Sequence, residues 1–228
     1  MQFNLSADML AAAMAFTSAE ETRRYMHGVY VESQPDPDTG LGALIVATDG
    51  HKLCAFYDAL GHVPEAAILQ VDGKSKDLKT GAREVADRRL VFDRIEPGQK
   101  AGAAVHIQDS PVTFTSVQRI AGTFPDWRRV MPKVYSGIGL KDGQHLAVNP
   151  AFVAICAEAA RRISAMRSES SDGKVMRFAT EGAGSPILLH TGSHNALFVI
   201  MPMGCDAPDM TSAPWWLAYP KPSTASTA

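Results

Sequence analysis

The stretch that most restricts this chain is Val46-Ala47-Thr48-Asp49-Gly50-His51-Lys52-Leu53. Apolar residues run up to an Asp-Gly pair and resume after it. Asp-Gly suits a tight hairpin, because glycine accepts the positive φ that such turns demand. The segment predicts two strands, Leu44 to Ala47 and Lys52 to Tyr57, joined by a tight turn.

Strand and helix signals surround it. Residues 1–5 read as a short strand, and Ser6 as the N-cap of a helix with Asp8 in its favourable first turn. Met9, Leu10, Ala13, Met14 and Thr17 form its apolar stripe. Ala11, Ala15 and Ser18 on the other face read as those of an alanine-rich surface helix. A polar loop from Glu20 to Tyr25 leads to a strand from Met26 to Ser33, and Gln34 to Gly40 is rich in turn residues. A second module starts at Ala66 to Val71, with a short or degraded helix near Lys74 to Lys79. Its strands are Arg89 to Arg94, Ala103 to Gln108 and Val112 to Ile120. A third opens with a strand from His145 to Val148. Asn149 then caps a helix with Pro150 at its first position. Phe152, Cys156, Ala159, Ile163 and Met166 form its buried stripe, which leaves Arg161 facing away from the core. Lys174 to Thr180, Ser185 to His190 and Ala196 to Met201 complete that module.

Composition excludes several classes. At 228 residues the chain suits one large domain or two small ones, and its 46% apolar content is that of a globular protein. No apolar run approaches the ~18–20 residues of a membrane span. The N-terminus, Met-Gln-Phe-Asn-Leu, lacks the features of a signal peptide, so a cytoplasmic location is expected. Cys54, Cys156 and Cys205 are too few and too scattered for a disulfide scaffold or a zinc site. A net charge of -2 argues against gripping DNA by bulk basicity, but not against basic groups gathered on one surface.

Catalytic patterns are weak. Asp38-Thr39-Gly40 matches the short signature of aspartic proteases, but it follows a Pro-Asp-Pro turn and has no second copy to share the proton. Gly50-His51-Lys52 lacks the upstream glycine and following hydroxyl of a phosphate loop. His190 and His194 fall in a strand-turn context ill suited to a metal. No nucleophile, base and orienting acid can be assembled. The chain reads as non-enzymatic, with no cofactor and no metal.

Two later stretches give the hairpin its meaning: Gly122-Thr123-Phe124-Pro125-Asp126-Trp127-Arg128-Arg129-Val130-Met131-Pro132 and Leu197-Phe198-Val199-Ile200-Met201-Pro202-Met203. In this order, the three resemble the beta subunit of bacterial DNA polymerase III, the ring-shaped sliding clamp of replication. In that family the hairpin belongs to the middle domain, a Phe-Pro-Asp-aromatic-Arg-Arg-Val segment links it to the last domain, and a Met-Pro-Met strand ends the chain. The resemblance implies an α+β clamp fold, antiparallel sheets with helices on one face. About three strand-helix-strand modules stand here where the family has six. It divides the chain into a two-module clamp domain, 1–132, a single-module domain, 133–203, and a Pro-rich, largely disordered tail, 204–228.

The resemblance also implies partners. A groove for linear peptides of polymerase and clamp loader would be walled by Met26, Thr48, Gly50, His51, Lys52 and Leu53 on one side. Pro125, Val130, Val199, Met201, Pro202 and Met203 would form the other. Methionines there can repack around different anchors. The family usually has Arg where Lys52 stands. Arg23, Arg24, Tyr25, Lys74, Lys76 and Arg161 would face double-stranded DNA through sequence-independent phosphate contacts. Rings of the wider family hold twelve modules, so three per chain imply a homo-oligomer, as a tetramer. The alternative is a clamp-like binding protein that keeps the groove without closing a ring. In the tail, Trp215-Trp216-Leu217-Ala218-Tyr219 needs a surface to cover. That surface is either the groove or, the more conservative reading, an edge left bare by the missing module.

Overall fold

The structure is a computed structural model that describes residues 2–72, 88–106, 112–133, 138–139, 146–165, 175–191 and 194–203. In chain order the elements are β1 (Gln2–Ser6), α1 (Ala7–Ala13), β2 (Val29–Ser33), β3 (Ala43–Thr48), β4 (Lys52–Asp58) and β5 (Ala67–Asp72). They continue with β6 (Arg89–Asp93), β7 (Lys100–His106), β8 (Thr113–Ile120), α2 (Pro150–Ala165), β9 (Arg177–Ala179), β10 (Ile187–His190) and β11 (Ala196–Ile200). Among the described residues, the strands form one eleven-stranded sheet in the order β1-β6-β7-β8-β5-β2-β3-β4-β11-β10-β9. Every ladder in it is antiparallel. The helix expected near Lys74 to Lys79 lies outside the described residues, as does the tail.

The seam between β4 and β11 matters most for function. Leu53 pairs with Val199 and Cys54 with Phe198, so the pleat sorts their side chains to opposite faces. Cys54, Phe56, Phe198 and Ile200 join the main core, which also takes residues of α1 and α2. Leu53, Ala55 and Val199 join a smaller apolar cluster with Val46, Ile68, Leu188 and Phe124. Phe124 belongs to the segment after β8, and its ring stacks on Tyr30 at 4.9 Å. β4 is thus covered on both faces, which is why its sequence shows little polar alternation. Burial pushes the Cys156 thiol up to about 12 and the Cys54 thiol well above its usual value, so both are neutral core residues.

Several boundaries differ from the sequence reading. Ser6 does cap α1, accepting the Met9 N–H, but the helix tightens into a 3-10 turn at Met14–Phe16. It is not a surface helix: all of Ala7 to Ala13 is buried, because α2 packs against it. Its small side chains allow that close approach. The polar loop before β2 is a 3-10 turn, Glu21–Met26, and the strand begins only at Val29. Gly28 sits between them, where a Cβ would lie 2.8–2.9 Å from Ile68, Ile120 and the Leu69 carbonyl. No strand forms over Leu146 to Val148; Ala147 spends its carbonyl on the Met203 N–H instead. Asn149 caps α2 through the Ala151 N–H at 2.9 Å, as its sequence predicts.

A buried ion pair locks the helices to the sheet. Asp8 of α1 takes the Arg88 guanidinium in two hydrogen bonds, one of 2.9 Å from Nε. Arg162 of α2 stands 3.6 Å away. Both partners of the main pair are almost fully buried. Removing Asp8 takes away the carboxylate that offsets a buried guanidinium, which is strongly destabilising. Asp8→Ala is therefore expected to lower stability by about 3–5 kcal/mol, read as a fall in the urea midpoint.

Candidate functional site

The hairpin holds its own turn in shape. Thr48 Oγ1 donates to the Lys52 carbonyl at 2.9 Å and accepts the Gly50 N–H at 3.0 Å. Asp49 Oδ1 accepts the His51 and Lys52 N–H groups, each at 2.9 Å. Gly50 adopts φ +93, which a side chain would strain. Thr-Asp-Gly is thus a turn in which each residue has a mechanical task.

Lys52 is only 7% exposed, and its ammonium is held by the Asp49 carboxylate. It also faces the rings of Phe152 and Phe16, at 5.5 and 5.9 Å. A buried ammonium is costly unless so compensated. His51 stacks on the same Phe152 at 6.2 Å. α2 therefore reaches across to pin the hairpin tip.

Beside this tip lies an apolar cleft of about 200 Å³. One wall is the hairpin from Thr48 to Leu53, with Met26 next to it. A second is the 3-10 turn Trp127–Val130 and the two residues before it, which contributes Pro125, Asp126, Trp127 and Val130. The third is the end of the last strand, Val199 and Met201, drawn in by the β4–β11 ladder and by the Met201 N–H on the His51 carbonyl at 2.8 Å. Arg128 stacks over Trp127 at 4.4 Å and ion-pairs with Glu32, which steadies the second wall.

Of the predicted wall residues, all but Pro202 and Met203 line this cleft. Met203 is half exposed, and its N–H donates to the Ala147 carbonyl at 2.9 Å. Asp126 and Trp127 also line the cleft; the signal for them is their place inside the Phe-Pro-Asp-Trp motif, between the predicted Pro125 and Val130.

The residues expected to face DNA are scattered. Arg23 lies at the cleft rim, where a Cβ on Gly50 would meet its guanidinium at 3.0 Å, and pairs with Glu20 at 3.0 Å. Arg24 is exposed on the same turn, while Tyr25 packs on the smaller apolar cluster. Arg161 does face outward, held by Glu158 of its own helix. Lys74 and Lys76 lie outside the described residues. Among the described residues no group of His, Cys, Asp and Glu could hold a metal, and no helix is long and apolar enough to cross a membrane.

Comparison with known proteins follows the same line. No protein-family profile matches the chain. The architecture is that of the processivity clamps. It is shared with the sliding clamp of Bartonella birtlesii bound to griselimycin, at TM-score 0.56 and 19% identity over 90% of this chain and 66% of that one. The Pseudomonas aeruginosa polymerase III beta subunit gives 0.54 and 15%, over 90% and 67%. The Borrelia burgdorferi subunit, in complex with a natural product, gives 0.54 and 14%, over 90% and 64%. In sequence the chain is similar to the beta sliding clamps of two Caulobacter vibrioides strains, 36% identical over 126 residues. That match spans 51% of this chain and 29% of the relatives' length. The resemblance to the polymerase III beta-subunit family stands, over part of the relatives' length.

The Asp49 carboxyl is pushed up by burial, but the Lys52 ammonium and the two backbone donors outweigh that and hold it below its usual value. A carboxyl depressed in the folded state stabilises above its unfolded pKa, and that contribution is lost as pH falls through the folded one. Stability should therefore drop as pH falls below about 4, and Asp49→Asn should flatten this part of the profile, measured by urea melts at pH 3 to 6.

Proposed function

We propose that the chain is a shortened sliding clamp, a non-enzymatic processivity factor that recruits replication proteins to DNA through its apolar cleft. The observation that carries this is the meeting of three distant segments on one cleft. Its walls combine mobile methionines, Met26 and Met201, with a rigid proline, Pro125. Thr48 and His51 border it as polar groups. Such a site suits short linear peptides with Leu or Phe anchors. Residues 1–132 serve as the two-module body and 133–203 as the single module that completes the groove, with Pro202 and Met203 extending it. Arg23, Arg24, Tyr25, Lys74, Lys76 and Arg161 supply phosphate contacts to double-stranded DNA, and copies of the chain join head to tail around it.

Losing one apolar anchor contact costs about 1–3 kcal/mol, or roughly five- to a hundredfold in affinity. Met201→Ala is expected to weaken a Leu/Phe-containing clamp-binding peptide by that factor in calorimetry, with the fold intact. Equal affinities would remove the cleft from the proposal.

A second reading, a clamp-like binding protein without a ring, is favoured by the state of the sheet's ends. The outer side of β1 carries a bridge from Asn4 to His62, and Thr180, the residue after β9, is bridged to Ile138. A neighbouring copy would have to displace these to extend the sheet. Light scattering separates the two: a closed ring gives a discrete multiple of 24.5 kDa, four-fold by module count, and the second reading gives the monomer mass.

A further inference from the structure

The cleft is apolar, and the described chain ends at its rim. Met201 is part of the wall, and the Met203 N–H is fixed on the Ala147 carbonyl. From there the sequence runs through residues 204–214 to Trp215-Trp216-Leu217-Ala218-Tyr219. Eleven residues span at most about 35–40 Å. Met201 lies two positions before Met203, about 7 Å along an extended chain, so the aromatic run reaches the cleft with length to spare.

The chemistry on the two sides matches. Trp215, Trp216, Leu217 and Tyr219 gather large apolar area in a stretch, 211–228, otherwise made of Pro, Ser, Thr and Ala with one Lys. Each large aromatic buries about 150–250 Å², at roughly 25 cal/mol per Å². The cleft offers Leu53, Val130, Val199 and Met201, with room for a large side chain. The charged residues between Met203 and Trp215 are Asp206 and Asp209, opposite in sign to Arg23, which stands at the rim and is shared with Glu20. The rival surface is the outer side of β9; just past its end the Gly139 N–H donates to the Thr180 carbonyl at 2.9 Å.

The geometry points to Trp215–Tyr219 as an intramolecular occupant of the cleft, a tethered plug that an external peptide must displace. This rests on the cleft being the peptide site proposed above. Tethering sets an effective concentration of the order of 1 mM. A plug that docks with a Kd of about 0.1 mM would then weaken external peptides about tenfold.

The test uses the full chain. Labelling with 5-fluorotryptophan gives one 19F resonance each for Trp127, Trp215 and Trp216, assigned by Trp→Phe substitution. Val130 is 40% exposed, so Val130→Asp alters the cleft with little demand on the fold. It should move the Trp215 and Trp216 resonances toward their positions in urea. A tail variant with Trp215, Trp216, Leu217 and Tyr219 all changed to Ser should bind a Leu/Phe peptide about tenfold tighter than the parent. If those resonances ignore Val130→Asp and the tail variant gains no affinity, the plug is overturned; the cleft reading survives if Val130→Asp still abolishes peptide binding. If no external peptide binds either protein but the resonances respond, the plug stands and peptide recruitment fails. Should Val130→Asp unfold by circular dichroism, Met201→Ser takes its place with the same two outcomes.

Discussion

The ladder between β4 and β11 is the contact on which the rest depends. Lys52 to Phe56 pair with Ile200 to Ala196, and the two strands lie far apart in sequence. This pairing seats β9, β10 and β11 beside the strands formed from the first half of the chain. It puts Leu53 next to Val199 on one face, and Cys54 next to Phe198 on the other. A slip of one residue would exchange the faces, sending Phe198 toward the linker and Val199 into the main core. The cleft would lose its floor and α2 its place against α1. The apolar pattern of both strands penalises that slip heavily.

The hairpin tip shows how the same seam manages charge. Lys52 is nearly dry, yet its ammonium has a carboxylate and two aromatic rings. One ring, Phe16, comes from the 3-10 turn after α1, and the other, Phe152, from α2. The cation therefore sits where these two segments meet, and its compensation draws on both. A guanidinium at this position would be broader, planar and harder to house between two rings and one carboxylate.

Much of this was legible in the sequence. The Asp-Gly turn, the Ser6 and Asn149 caps and the alternating strands are local signals, and local chemistry decides them. Of the twelve wall positions that the family resemblance implied, ten meet on one cleft, because the three motifs that carry them are brought together by the β4–β11 ladder and the segment after β8. What could not be read is what depends on distant packing. α1 reads as a surface helix because its alanines suit one, and only the presence of α2 shows why they are small. Leu146 to Val148 have strand character, but no neighbour takes them into the sheet. Met203 continues an apolar motif, yet it is half exposed and its N–H is claimed by the Ala147 carbonyl.

The pairing of Leu53 with Val199 also sets an order in time. Loop closure across so long a stretch is entropically costly, and contacts of this range form late. During synthesis, β3 and β4 can pair as a hairpin as soon as they emerge, but the outer edge of β4 stays bare until the last strand is made. A bare edge on an apolar strand invites pairing with other chains. Until its final strand arrives, the nascent protein presents as an aggregation hazard the same edge that the finished protein uses to build its cleft.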